Sequence, residues 1–283
     1  MIAFLGAGLL GSGFVRAMRR RGEPVRVWNR TPAKARALEA VGAVACVDPL
    51  DAVRGADRIH LCLSDDAAVD AVLERVGHGL DPGAVLVDHT TTSPGGAVAR
   101  VARWGARGHH YQHAPVFMGP VQALESTGVM LVSGDPARLA ALAPALRTMT
   151  GKLVELGTDP ARAAGMKLLG NLFLISVTAG MIDMLTLARS LGIPSADAAG
   201  LFAFFNPGTS LPARMQRILQ CDHQQPSWEL AMARKDARLM LEGAQGAPRP
   251  LTVIAAVAGE FDRWIAEGAG HLDWTVIARD VIP

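Results

Sequence analysis

The first half of the chain alternates short apolar runs with longer amphipathic ones. Ile2 to Leu5 is apolar throughout and stops at Gly6; a helical spacing then carries Phe14, Val15 and Met18 and ends near Arg20-Arg21-Gly22. Val25 to Trp28, Arg58 to Leu63, Ala84 to Val87, Tyr111 to Val116 and Val129 to Ser133 read as further strands. Helix starts fall between them, at Pro32 and at Ser64-Asp65-Asp66. Continuous apolar strands separated by helices predict an α/β domain with a parallel sheet covered on both faces. After about Pro160 the alternation stops. Ala161 to Leu191 predicts a single helix, about 45 Å long at 1.5 Å per residue. It is nearly all apolar from Met166 onward, so it should be enclosed by other helices or by a second subunit. The expected organisation is an α/β domain over 1–160, then an all-α domain over 161–283 built around a long buried helix.

Composition narrows the function classes. Hydrophobic residues make up 50% of the 283 and charged ones 19%, which excludes a disordered chain. A formal net charge of +2 gives no basic footprint for nucleic acid or an anionic membrane, and 5% aromatics offer no base-stacking platform. Cys46, Cys62 and Cys221 are widely spaced and form no CxxC pair, which predicts reduced, buried thiols in a cytoplasmic protein. The N-terminus lacks a basic region before its apolar stretch and does not read as a signal peptide. The longest uncharged run, Leu168 to Ile182, falls short of a membrane span.

The first candidate chemistry lies between the first two strands. Gly6-Ala7-Gly8-Leu9-Leu10-Gly11 joins a strand to a helix, and a second strand follows. That context makes GxGxxG a dinucleotide site of Rossmann type. Gly6 permits the turn, Gly8 lets backbone approach a pyrophosphate, and Gly11 lets helix pack on strand. The helix N-terminus then offers free N–H groups to phosphate. After the second strand the chain reads Asn29-Arg30-Thr31, where an NAD site usually has Asp or Glu for the ribose hydroxyls. Asn29 brings no anion to repel a 2′-phosphate, Arg30 offers a planar fork and Thr31 a hydroxyl, so NADP(H) is expected over NAD(H). Ser64 and Thr91, at later strand ends, are cofactor-contacting candidates; each also suits a helix N-cap. His109, His110 and His113 are close in sequence, but no carboxylate or cysteine stands at ligand spacing, so no metal is expected and a surface cluster is the default.

In the long helix, Lys167 and Asn171 are four apart and share a face. A lysine against so apolar a stretch is a candidate proton carrier, because desolvation lowers its pKa; equally, it can lie at the wet end of the helix and snorkel. Lys235-Asp236 alone reads as a surface ion pair.

The ordered set FLGAGLLGSG, WNRT, LCLSDDAAV, VDHTTTSP, HAPVFMGPVQALESTG, GMKLLGN and RKDARLML resembles the β-hydroxyacid dehydrogenases nearly end to end. These include 3-hydroxyisobutyrate dehydrogenase and glyoxylate/succinic semialdehyde reductases and, more distantly, 6-phosphogluconate dehydrogenase. The resemblance implies a Rossmann domain followed by a helical domain that also makes a homodimer or homotetramer. It implies catalysis by Lys167 with Asn171, cofactor contacts from Leu63, Ser64, Thr91 and Lys235, and a substrate contact from Thr90. Where the family reads DAPVSGG, holding a substrate carboxylate, this chain reads His113-Ala114-Pro115-Val116-Phe117-Met118-Gly119. Phe117 and Met118 remove a donor and add apolar bulk at the substrate, while Gly119 stays. Gly170 stands where the family has an asparagine.

The activity expected is NADP(H)-dependent interconversion of a small carbonyl and hydroxyl compound, the carbonyl bulkier or less acidic than the family's usual. Reduction of C=N, as by imine reductases, is the alternative that Phe117-Met118 favours and Lys167 opposes. A non-catalytic NADP-binding module, like the dehydrogenase-like domain of a nucleosome-associated factor, would be expected to lose Lys167.

Overall fold

A computed structural model describes residues 1–220 and 222–282; Cys221 and Pro283 lie outside the described residues. Packing divides the chain into two compact units, Met1–Asn171 and Leu172–Pro283, with the division inside the long helix.

The first unit carries β1 (Ile2–Leu5), α1 (Leu9–Arg20), β2 (Val25–Trp28), α2 (Pro32–Arg36), β3 (Val44–Cys46), α3 (Pro49–Val53), β4 (Arg58–Leu61), α4 (Asp66–Val76), β5 (Val85–Asp88), α5 (Pro94–Ala106) and β6 (His110–His113). These strands form one six-stranded sheet in the order β3-β2-β1-β4-β5-β6, parallel throughout. The order reverses between β1 and β4, so their C-terminal ends open the crevice where such sheets take ligands. Strand periodicity sends neighbouring side chains to opposite faces. Ile2 and Phe4 thus join a core with Phe14, Met18 and Val27, while Ala3 and Leu5 join another with Ile59, Leu73, Leu86 and Trp104.

A smaller sheet follows. β7 (Val116–Phe117) runs antiparallel to β8 (Val129–Val132), which runs parallel to β9 (Lys152–Glu155). Between them lie α6 (Pro120–Leu124) and α7 (Pro136–Arg147). The expected strand from Tyr111 to Val116 is therefore two, broken at Ala114-Pro115, because proline supplies no N–H to a ladder. α1 packs on α6 at Gly13, where a Cβ would stand 2.8 Å from Pro120 O.

α8 (Arg162–Ser190) matches the predicted long helix within a residue at each end. Of the two expected covers, other helices or a second subunit, the chain's own helices do not supply one: in the single chain Leu172, Leu174 and Ile175 are 64%, 63% and 67% exposed. By length and composition α8 is also apolar enough to cross a membrane, which the uncharged run alone did not indicate, because Lys167 and Asp183 interrupt the run without ending the helix. Asp183 is 7% exposed and accepts from the backbone N–H groups of Thr252, Val253 and Ile254 at 2.8, 2.7 and 3.1 Å. It caps another helix with its carboxylate, as an anion at a helix N-terminus should. The second unit continues with α9 (Ser195–Gly200), α10 (Leu211–Gln220), α11 (Leu230–Gly243) and α12 (Val253–Ala266). Its core gathers Leu230, Ala233, Phe261, Trp264, Leu272 and Val276.

Candidate functional site

The glycine turn has the geometry its spacing predicts. Gly6 has φ +110°, and a Cβ on it would lie 2.2 Å from Cys62 O; one on Gly11 would lie 2.0 Å from Gly6 O. Both positions admit only glycine. Around Gly8 a Cβ meets nothing within 4 Å, so the space that a diphosphate needs is open. Gly8 is also the N-cap of α1 and brings no side-chain cap, which leaves the first-turn N–H groups from Leu9 and Leu10 for an anion. No acidic residue stands in that turn. These residues fit a dinucleotide.

Asn29 does more than remove a charge. Its Oδ1 accepts from Ala7 N at 2.9 Å and its Nδ2 donates to Thr31 O at 3.1 Å, so it pins the turn to the end of β2. Arg30 and Thr31 are exposed beside it. Ser64 and Thr91 are exposed too, and neither is a helix cap: Asp65 Oδ1 accepts from Ala68 N, and Ser93 Oγ from Gly96 N. The hydroxyl of Ser64 hydrogen-bonds to Asp65 and helps hold its carboxyl below the ordinary range, after the larger effect of the Ala68 N–H.

Thr90 is buried, and its hydroxyl accepts from Leu63 N at 2.9 Å, joining the loops after β4 and β5. Asp88 accepts from Thr90 N and from the Tyr111 hydroxyl at 2.9 and 2.6 Å. His113 is not part of a surface cluster as expected; it is buried and donates from Nε2 to Thr90 O at 2.9 Å. Among the described residues no group of three or more His, Cys, Asp or Glu could hold a metal ion.

A buried relay that the sequence reading passed over runs through the same sheet. Arg58 Nε donates to His60 Nε2 at 2.8 Å, His60 Nδ1 lies 2.9 Å from His89 Nε2, and His89 Nδ1 lies 2.8 Å from Ala114 O. A guanidinium at one end and a carbonyl at the other allow one proton order: both imidazoles are neutral and protonated on Nδ1. Burial keeps both neutral, with His89 lowered to about 4 and His60 well below its usual value. A histidine in the middle of an apolar strand was the available signal.

The relay ends at Ala114, in the break that precedes β7. Phe117 pairs with Val129 across the small sheet, and its ring lies beneath the Lys167 ammonium, with Nζ 4.4 Å from the centroid. Lys167, half-buried on α8, has its pKa lowered by burial. Asn171 follows one turn later on the same face, also half-buried. Met118 packs against the Phe4–Phe14 core. The Gly119 N–H donates to Gln122 Oε1 at 2.8 Å, so α6 has its own cap there. Lys235, on α11 in the second unit, pairs with Asp236 Oδ1 at 2.9 Å.

Cys46 and Cys62 are free thiols and, against expectation, partly exposed as residues; burial nonetheless pushes the Cys62 thiol up to about 12.

Residues 1–157 match the family described as the NAD binding domain of 6-phosphogluconate dehydrogenase. The chain belongs to the β-hydroxyacid dehydrogenase family. It is an NAD(P)-dependent dehydrogenase/reductase. Over 291 residues it is 27% identical to 3-sulfolactaldehyde reductase of Escherichia coli, covering 99% of this chain and 95% of that one. It is 31% identical to the cytokine-like nuclear factor N-PAC of Homo sapiens, covering 99% of this chain and 51% of that one. Among solved structures, the imine reductase from Myxococcus stipitatus in complex with NADP+ superposes with a TM-score of 0.91, at 22% identity and 99% coverage of both chains. A variant of that protein in complex with NAD+ superposes at 0.89. These structural likenesses speak for the fold.

Proposed function

We propose that the chain reduces a small, uncharged carbonyl compound with NADPH, or oxidises the corresponding alcohol with NADP+, and that Lys167 carries the proton. The observation that supports this most is the half-buried Lys167 ammonium, one helical turn from Asn171 and against an aromatic ring rather than a carboxylate. Burial lowers its pKa toward the range in which an amine can both give and take a proton. When bound, the nicotinamide supplies or accepts the hydride. Lys167 Nζ donates to the carbonyl oxygen during reduction and accepts from the hydroxyl during oxidation, and Asn171 orients that oxygen.

Asn29, Arg30 and Thr31 support NADP(H) over NAD(H), since the turn presents a guanidinium and a hydroxyl and no carboxylate. Gly6, Gly8, Leu9, Leu10 and Gly11 would hold the diphosphate, with Leu63, Ser64, Thr91 and Lys235 as further cofactor contacts. Thr90, Phe117, Met118 and the backbone near Gly119 would line the substrate side; the engaged hydroxyl of Thr90 suits it to holding the loops in place.

The exposed apolar face of α8 supports a homo-oligomer in which a second copy covers Leu172, Leu174 and Ile175. Reduction of C=N is the second reading. The apolar Phe117-Met118 pair favours it, and proteins of similar fold include imine reductases. A screen of NADPH oxidation with aldehydes, ketones and cyclic imines tests both. Carbonyl turnover that falls about a thousandfold in Lys167→Ala, with NADPH still binding, is the expected result. Unchanged turnover in that variant would reject the assignment.

A further inference from the structure

Gly170 lies inside α8, where glycine costs stability relative to alanine unless something demands it. What demands it here is the Phe117 ring. A Cβ on Gly170 would stand 2.3 Å from Cζ and 2.5 Å from Cε1 of that ring, distances no side chain tolerates. The ring therefore occupies the volume that any side chain at position 170 would fill. Its opposite relation is to Lys167, three residues earlier, whose Nζ sits over the ring face at 4.4 Å. The backbone of Phe117 is fixed in β7 against Val129, and the preceding residue Val116 is buried in the sheet core, so a side chain at position 170 has to swing the ring off its seat about its own torsions.

We propose that Phe117 and Gly170 form one interlocked specificity element. The ring, seated on the bare Cα of Gly170, is the wall beside Lys167 that reads the group attached to the reacting carbon. It admits an apolar group and rejects a carboxylate. Two physical terms act together. An aromatic face offers a carboxylate no hydrogen-bond donor and repels it through the ring quadrupole. The same face attracts the Lys167 ammonium, which is thereby occupied by the ring and the carbonyl oxygen and unavailable as a carboxylate's counter-ion. This inference rests on the reading of Lys167 as the proton carrier.

The test uses the full-length protein and two aldehydes of similar length, pentanal and succinic semialdehyde, with NADPH. Wild type should favour pentanal in kcat/KM by about a hundredfold or more. Phe117→Ser and Gly170→Ala should each shift that ratio toward succinic semialdehyde by at least about tenfold, chiefly through KM. Gly170→Ala should add nothing in the Phe117→Ser background, because its effect is to displace the ring. Wild-type preference for succinic semialdehyde, or ratios within about twofold of wild type in both single variants, would overturn the proposal.

A melting-temperature cycle needs no substrate. Gly170→Ala should lower Tm when Phe117 is present and raise it when position 117 is serine, as helix propensity alone would do. A Tm raised in both backgrounds overturns the interlock. The two readings fail separately: intact turnover in Lys167→Ala removes the proton carrier, whereas a flat ratio and an uninverted Tm cycle remove the specificity element.

Discussion

Two side chains let the chemistry be tested at its smallest scale. If Lys167 carries the proton as proposed, it must enter each reductive turnover protonated, so kcat should fall as pH rises through its pKa. Burial places that pKa below the ordinary 10.5 of lysine. A pH profile of kcat should therefore show an alkaline limb below pH 10.5; a profile flat to that point would remove Lys167 from the proton path. On the proposed preference for NADP(H), Arg30 is the residue to test. A charge-assisted pair with a phosphate is worth about 1.5–3 kcal/mol, so Arg30→Ala should raise the KM for NADPH by about tenfold or more and leave that for NADH within a few-fold. Asn29→Asp is a poorer route to NADH than its position suggests. It would keep an acceptor for Ala7 N but lose the donor to Thr31 O, loosening the turn it was meant to re-tune. The family pattern singles out Lys167, Asn171 and Phe117, and the structure brings Lys167 and Phe117 into contact. The seating of Phe117 on Gly170 could not be read from the sequence, because it joins a two-residue strand to a helix far along the chain, and no periodicity encodes that meeting.

Among elements, the ones with clear apolar runs or turn glycines were legible: β1, β2, β4, β5, β8, α1 and α8 lie within a few residues of their expected places. β3, β7 and β9 were missed. Each is short, β3 and β9 lie at sheet edges with exposed positions, and β9 carries a charge at each end. The His60–His89 relay tells in the acid stability of the sheet. Its imidazoles are neutral when folded and take up protons below about 6.5 when unfolded. The unfolded chain thus binds more protons in that range, and stability falls as pH drops from about 6.5 toward 4. For His89 alone the loss approaches ~3 kcal/mol at the lower end. Urea midpoints at pH 7.5, 5.5 and 4.5 should decline steadily, and His89→Gln should be weaker at pH 7.5 yet less sensitive to acid. A variant with the wild-type slope would show that other groups set it. The cap at Asp183 gives a second element-scale test. Asp183→Ala would strip three N–H groups of a carboxylate and should cost ~2–4 kcal/mol, read as a lower Tm with α12 the first region to exchange its amides.

On the scale of the whole molecule, the exposed stripe on α8 is the feature that a lone chain leaves unsatisfied. Sedimentation should report a homo-oligomer, and Leu172→Glu with Ile175→Glu should reduce its mass; an undiminished assembly would place the interface elsewhere. α8 also belongs to both packing units. Its opening turns are core of the first: Ala163 and Ala164 are fully buried, and Ala163 N donates to Ser133 Oγ at 3.0 Å. Chimaeras with relatives therefore have a natural seam that is not the end of the alternating pattern. A crossover near residue 160 would pair a foreign helix start with native walls, mismatching Ser133 and Phe117 at once. One placed after Ser190 would exchange the remaining helices while Lys167 and Gly170 stayed with the residues shaped around them.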